Sequence, residues 1–186
     1  MIKIYLILVL LIGIFATKFN SANEILIYAD DISYDNDQNI VAKGNAKIIN
    51  NGQLVFSDLI IYKKNENKVI FPSEFTLKDQ NNNYLNASSG FLDQNLNYGE
   101  FNDIKIRLND GSRIVGIKGK RDGHIDVISK GVYSPCKSRI KIGNFICPTW
   151  QLEGEKILHD NKNLFLYQKH AKMRIINTPV YYIPYL

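Results

Sequence analysis

The stretch Asp103-Ile104-Lys105-Ile106-Arg107-Leu108-Asn109-Asp110-Gly111-Ser112, continuing through Arg113 to Lys118, decides the fold class. Ile104, Ile106 and Leu108 alternate with charged residues, a period of two that puts the apolar side chains on one face of a strand. Asn109 to Ser112 supplies a tight turn, and Arg113 to Lys118 returns as the next strand. The same reading extends outward in both directions. Asn50-Asn51-Gly52 separates a strand ending near Ile49 from one starting at Gln53, and Asp122-Gly123 separates a further pair. From Glu24 to about Lys130 the chain is a series of short alternating runs divided by Asn, Asp and Gly. No helical stretch follows the N-terminal segment, so the class is all-β.

An internal repeat supports the strand pattern. A shift of 28 residues superposes Asp30 on Asp58, Ile32 on Ile60, Tyr34 on Tyr62, Asn39 on Asn67 and Val41 on Val69. A shift of 125 superposes Asp30 on Glu155, Ile32 on Ile157, Asp35 on Asp160, Asn36 on Asn161, Ala46 on Ala171 and Ile48 on Met173. The unit is an acid-x-Ile strand, a polar turn and a returning strand, with a degenerate copy beginning at Ala87-Ser88-Ser89. Such units cannot each bury an apolar face alone, so they stack. The Asn-rich turns, Asp35 to Asn39 and Gln80 to Asn83, read as exposed hairpin tips. An open stack leaves unpaired edge strands, which are either a hazard or a docking site.

The N-terminus, MIKIYLILVLLIGIFATKFNSAN, has Lys3, an apolar stretch from Ile4 to Ala16 and a short polar segment reaching Ser21 and Ala22. This is the pattern of a secretory signal over residues 1–22, and the apolar run is short for a spanning helix, which needs about 20 residues. The expectation is an exported chain. Lys3 and Lys18 leave with the signal, so the net charge of +5 falls to about +3. No basic stripe interleaved with aromatics points to nucleic acid. The nearest cluster, Lys118, Lys120 and Arg121 between glycines, has a solvated turn as its ordinary reading. In an oxidising compartment Cys136 and Cys147 are disulfide candidates, with each other or with cysteines elsewhere.

Nothing in the sequence assembles a catalytic centre. Cys136, Cys147, His159 and His170 are zinc-binding types but lack the close Cys pair of a preformed site. No Gly-x-Ser-x-Gly, His-Glu-x-x-His or phosphate-cradling glycine loop is present. A carbohydrate-active enzyme on a β-repeat needs carboxylates gathered in one cleft, whereas Asp35, Asp37 and Asp93 fall on turns. The expectation is therefore no catalytic residue, no metal and no cofactor, and the alternation of apolar residues is the informative chemistry.

Several elements in order carry a family resemblance: Tyr133-Ser134-Pro135-Cys136, then Cys147-Pro148-Thr149-Trp150-Gln151, then Glu155-Lys156-Ile157 with His159-Asp160, and the closing Pro179-Val180-Tyr181-Tyr182-Ile183-Pro184-Tyr185. With the repeat Ala29 to Tyr34 and Ala42 to Ala46, they resemble the N-terminal periplasmic domain of the lipopolysaccharide-assembly outer-membrane protein family, LptD, also called the organic-solvent-tolerance protein or OstA. The likeness runs from about Asn23 to Leu186. It departs from the family in the absence of the outer-membrane barrel and in the wider spacing of the cysteines, of which Cys147, close to Trp150, matches the family's barrel-bridging cysteine by position. The resemblance implies a β-jellyroll of stacked antiparallel strands over 23–177, of the OstA and LptA kind, with 178–186 leading toward a barrel. It implies lipopolysaccharide as the ligand, carried in an apolar groove without enzymatic activity. The groove candidates are Ala46, Ile48, Phe56, Ile104, Ile106 and Leu108, the small residues of the row Ala42-Gly44-Ala46-Ile48 leaving room for an acyl chain. It also implies that the edge strand carrying Ile25 and Ile27 adds to an LptA-like periplasmic bridge protein, that an LptE-like lipoprotein is met through the barrel, and that the chain works at the periplasmic face of the outer membrane. A stand-alone LptA-like bridge is the alternative within the same class.

Overall fold

A computed structural model describes residues 25–135, 139–142 and 145–186. The signal segment, Cys136 and the side chain of Cys147 lie outside the described residues, and the disulfide expectation lies there with them. The strands are β1 (Leu26–Tyr28), β2 (Asp31–Tyr34), β3 (Ile40–Asn50), β4 (Gln53–Lys63), β5 (Lys68–Phe71), β6 (Phe75–Lys78), β7 (Tyr84–Ala87), β8 (Ser89–Asp93), β9 (Tyr98–Arg107), β10 (Arg113–Asp122), β11 (Ile125–Ser134), β12 (Arg139–Ile142), β13 (Phe145–Pro148), β14 (Trp150–Asp160), β15 (Phe165–Ile175) and β16 (Thr178–Tyr185). All but β12 and β13 belong to one antiparallel sheet, and those two pair with each other between β11 and β14. The all-β expectation holds, and the hairpins at 50–53, 108–113 and 122–125 stand where the turn residues put them.

The sheet is rolled on itself as a β-jellyroll, and the ladder registers give the reason. β1 and β2 lie end to end along one edge of β3, β6 and β5 along β4, and β7 and β8 along β9. Each such pair is one long strand broken in the middle. The unbroken strands are interrupted at the same level. The β3–β4 ladder skips Gly44 and Asn45 against Asp58. The β9–β10 ladder skips Asp103 against Ile117, and β11–β14 skips Lys130 against Glu155. The β15–β16 ladder skips His170 against Pro184. A bend line therefore crosses the whole sheet, and Gly44, Asn45, Asp103, Lys130 and His170 on it all have left-handed backbone, φ 46° to 72°.

Only β3–β4 has a two-against-one bulge there; at the other bends one residue of each strand drops out of the ladder, which turns both strands and keeps both halves facing inward. The buried positions accordingly jump by three at the line instead of two: Ser57 to Ile60 in β4, Phe101 to Ile104 in β9, Ile128 to Gly131 in β11 and Gly154 to Ile157 in β14. The internal repeat follows the same line. Asp30, Asp58, Ser88 and Glu155 all stand on it, with Asp30 accepting a hydrogen bond from the Asn45 side chain at 2.7 Å and Ser88 donating to Asp103 at 3.0 Å. Beside the line, glycines make room for isoleucines of the neighbouring strand. A Cβ at Gly131 would stand 2.5 Å from Ile157 Cδ1, and one at Gly119 2.6 Å from Ile104 Cδ1.

Folding along this line brings the halves face to face. Phe75 stacks on Phe71 with ring centroids 4.2 Å apart and meets Phe101 of the opposite half at 5.8 Å. On the side away from the bends, hairpin tips of the two halves meet in a polar seam. Asn50 Nδ2 donates to the Gln94 carbonyl at 2.6 Å, Gln53 Nε2 to Asn97 Oδ1 at 3.5 Å and Asn81 Nδ2 to the Asn161 carbonyl at 3.0 Å. The tips are thus not all solvated as expected: Asn50 and Asn83 are buried. Aspartates hold the tips together. Asp79 Oδ1 accepts from the amides of Asn81 and Asn83, Asp35 from Asp37 and Asn39, and Asp160 from Lys162 and Asn163.

Candidate functional site

Between bend line and seam runs an apolar interior, and its organisation is read from one row of ladder partners. Starting at the first strand, Ile27 faces Ile48, then Val55, Leu77, Leu85, Ile106, Ile114, Tyr133, Leu152, Met173 and finally Tyr181 on the last strand. Every position is apolar or aromatic, from one sheet edge to the other. With about 4.8 Å between strands, the row follows roughly 50 Å of rolled sheet. Its middle is sealed: Ile48, Val55, Leu77, Leu85, Ile106 and Ile114 are all buried. It opens at its C-terminal end, with Tyr181 65 % exposed, while Ile27 at the other end is half-buried; in the opposite half Ile32 pairs with buried Ala42 yet is 49 % exposed.

The predicted groove positions divide. Ile48 and Ile106 lie in the row itself, Ala46 and Ile104 beside the bend in the same interior, and Leu108 packs half-buried against it. Phe56 stands apart from them on the outer face, 42 % exposed, with the Lys47 ammonium 5.7 Å from its ring centre. The Ile48–Val55 pairing sets this parity, since Val55 turns inward and its neighbour outward. Leu77, Leu85 and Ile114 belong to the interior as fully and escaped the sequence reading, although each sits in an alternating run. Ile25 and Ile27 pack against the core at the N-terminal edge, where β1 pairs only with β3 among the described residues. Residues 178–185, expected as a lead-in toward a barrel, form the opposite edge strand, paired along β15.

Comparison with known proteins adds a likeness among solved structures. No family model and no curated protein matches the chain. Among solved structures it is similar to LptH of Pseudomonas aeruginosa, the LptA-homologous periplasmic component of a lipopolysaccharide transport device. The TM-score is 0.30 and the identity 14 %, over 82 % of this chain and 95 % of that one. At that TM-score the fold is carried by the registers above.

The interior changes character toward the C-terminal strands. In the half opposite the apolar row, Tyr62, Val69, Leu92 and Gly99 are followed by Arg121, Asp126 and His159. Arg121 Nε and one terminal nitrogen donate to the Asp126 carboxylate at 2.8 and 3.0 Å, and Asn161 Nδ2 adds a third bond at 2.7 Å. Burial acts to raise the Asp126 carboxyl, but the Arg121 charge and these hydrogen bonds hold it well below the usual carboxylate range. Arg121 is held above its ordinary value by the same partner against the opposing effect of burial. The basic cluster is therefore split, with Lys118 and Lys120 outside and Arg121 inside. Among the described residues no group of three or more His, Cys, Asp or Glu is placed to hold a metal ion. What the arrangement offers is shape-tolerant apolar contact with polar groups at its rim.

Proposed function

We propose that the chain carries the acyl chains of lipopolysaccharide through this interior, as the periplasmic domain of a lipopolysaccharide-assembly translocon. It takes the lipid from an LptA-like bridge at the β1 edge and passes it, past β16, toward an outer-membrane barrel. The observation that carries the reading is the apolar row from Ile27 to Tyr181, buried along its middle, half-buried at Ile27 and open at Tyr181. The sequence resemblance supplies the ligand. Each buried methylene contributes about 0.8 kcal/mol, so several acyl chains are held strongly without any directional group. Admitting them requires the halves to part. The seam is the side that yields, because it is closed by side-chain hydrogen bonds worth about 1 kcal/mol net apiece, whereas the bend line is covalently continuous.

A stand-alone bridge shares the interior but needs both edges for strand addition. Pro179 and Pro184 in β16 weigh against it, because proline donates nothing to a ladder. The test is binding of a fluorescent lipid A analogue to the full chain. Ile32→Asp and Tyr181→Asp, at exposed ends of the interior, should fold normally and weaken binding about tenfold, since lipid contact would strand a charge in an apolar site. Phe56→Asp on the outer face should leave binding unchanged. Equal loss in all three, or no binding by the parent chain, sinks the reading.

A further inference from the structure

The outer surface carries a second feature, at the C-terminal end of the sheet. In the first half of the sheet several outward rings lie under basic heads, Lys47 over Phe56, Lys68 over Phe91 at 3.9 Å, and Lys78 and Arg107 over Tyr84, while Tyr28 and Tyr98 are exposed without one among the described residues. On β15 and β16 the outward rings have no such cover among the described residues. Phe165 and Tyr167 lie ring to ring at 6.2 Å, and Tyr182 and Tyr185 flank His170 at 6.2 and 6.4 Å. Tyr185 is 74 % exposed, Phe165 58 % and Tyr167 54 %. The registers interleave lysines with them: Lys169 opposes Tyr185, and Lys172 opposes Tyr182. Both lysines are exposed and make no ion pair among the described residues. Of the nearby acids, Glu153 pairs with Arg174 at 2.8 Å, Asp160 binds its own turn, and exposed Glu155 stands 4.0 Å from His170 Nε2.

We propose that the outward face of β15 and β16 docks on an anionic lipid bilayer. Exposed tyrosines on a lysine background, Tyr182 with its hydroxyl 2.6 Å from His170 Nδ1, distinguish this partner from a protein. Protein interfaces deplete lysine at their centres, whereas the membrane–water interface collects Tyr for its apolar ring and polar tip and Lys for its charge toward anionic headgroups. The lysine stems cover apolar surface while their heads reach the phosphates. This inference stands apart from lipid carriage, since the face looks outward from the interior row.

The test uses the full chain with vesicles of phosphatidylglycerol and phosphatidylcholine, and with phosphatidylcholine alone. Partition is measured by sedimentation and contact by amide exchange. The parent and every variant carry the same N-terminal segment, so differences between them report on the face itself. Anionic vesicles should slow exchange across 165–169 and 180–185, and neutral ones should not. Lys169→Gln with Lys172→Gln should lower the anionic preference by about fivefold per lysine, and Tyr182→Ser with Tyr185→Ser should remove the protection. Lys47→Gln with Lys78→Gln should change neither. A vesicle-bound chain with this face unprotected overturns the proposal, as does equal loss in the Lys47 and Lys78 control. Protection that depends on protein concentration without vesicles also overturns it, assigning the face to a second copy.

Discussion

Asp126 keeps its charge in the interior because Arg121 and Asn161 bond it and His159 stands 3.9 Å from it. Asp126→Asn leaves the Arg121 guanidinium buried without its counter-charge, which costs roughly 3–5 kcal/mol. The sign of the pH dependence follows from the depressed carboxyl. Its contribution is fully present above the unfolded value of about 3.9 and is lost as pH falls from there toward the folded one. Denaturant midpoints should thus show a large gap between parent and variant at neutral pH that narrows in acid. A gap constant down to strongly acid pH would refute the pairing. The role of Arg121 was not legible in the sequence, where it closes a run with Lys118 and Lys120. Only the register that places Arg121 opposite Asp126 across the β10–β11 hairpin separates it from them.

At the scale of the element, the strand with its bend is the unit, and the bend explains which parts of the sequence read cleanly. The run from Ile104 to Leu108 lies wholly on one side of the line, so period two holds along it. Val55 to Ile60 crosses the line, and there a uniform alternation loses the inward face after Ser57. The row Ala42, Gly44, Ala46, Ile48 survives because Gly44 and Asn45 together oppose the single Asp58. Two substitutions test the bend. Lys130 has φ 49°, a conformation costing an L-residue about 1–2 kcal/mol, so Lys130→Gly should stabilise by about 1 kcal/mol despite the flexibility that glycine adds to the unfolded chain. Gly131→Val, one residue on, drives its side chain into Ile157 and should destabilise by about 1–3 kcal/mol. Thermal melts of the two variants moving in the same direction would mean that Lys130 is not a strained corner.

For the whole molecule, the decisive fact is that the sheet has two unlike edges joined by one interior. The closure between them was hidden in the sequence, since the seam pairs residues as far apart as Asn81 and Asn161 and uses side chains that ordinarily mark solvated turns. The edges were more legible. β16 carries two prolines, while β1 and β2 carry none and leave one side unpaired among the described residues. Strand addition is therefore expected at the N-terminal edge alone. Ile27→Pro removes a backbone donor there and keeps an apolar side chain at the head of the interior row, so it separates docking from carriage. Photocrosslinking to an LptA-like bridge protein should fall to background in this variant, while lipid A analogue binding stays within about threefold of the parent, a change of under 1 kcal/mol. Val180→Pro, at the edge already guarded, should leave crosslinking intact. Persistent crosslinking of Ile27→Pro would move the docking site off β1. Loss of lipid binding together with crosslinking would instead mean that the substitution disturbs the interior row itself, and would leave the edge without an assigned partner.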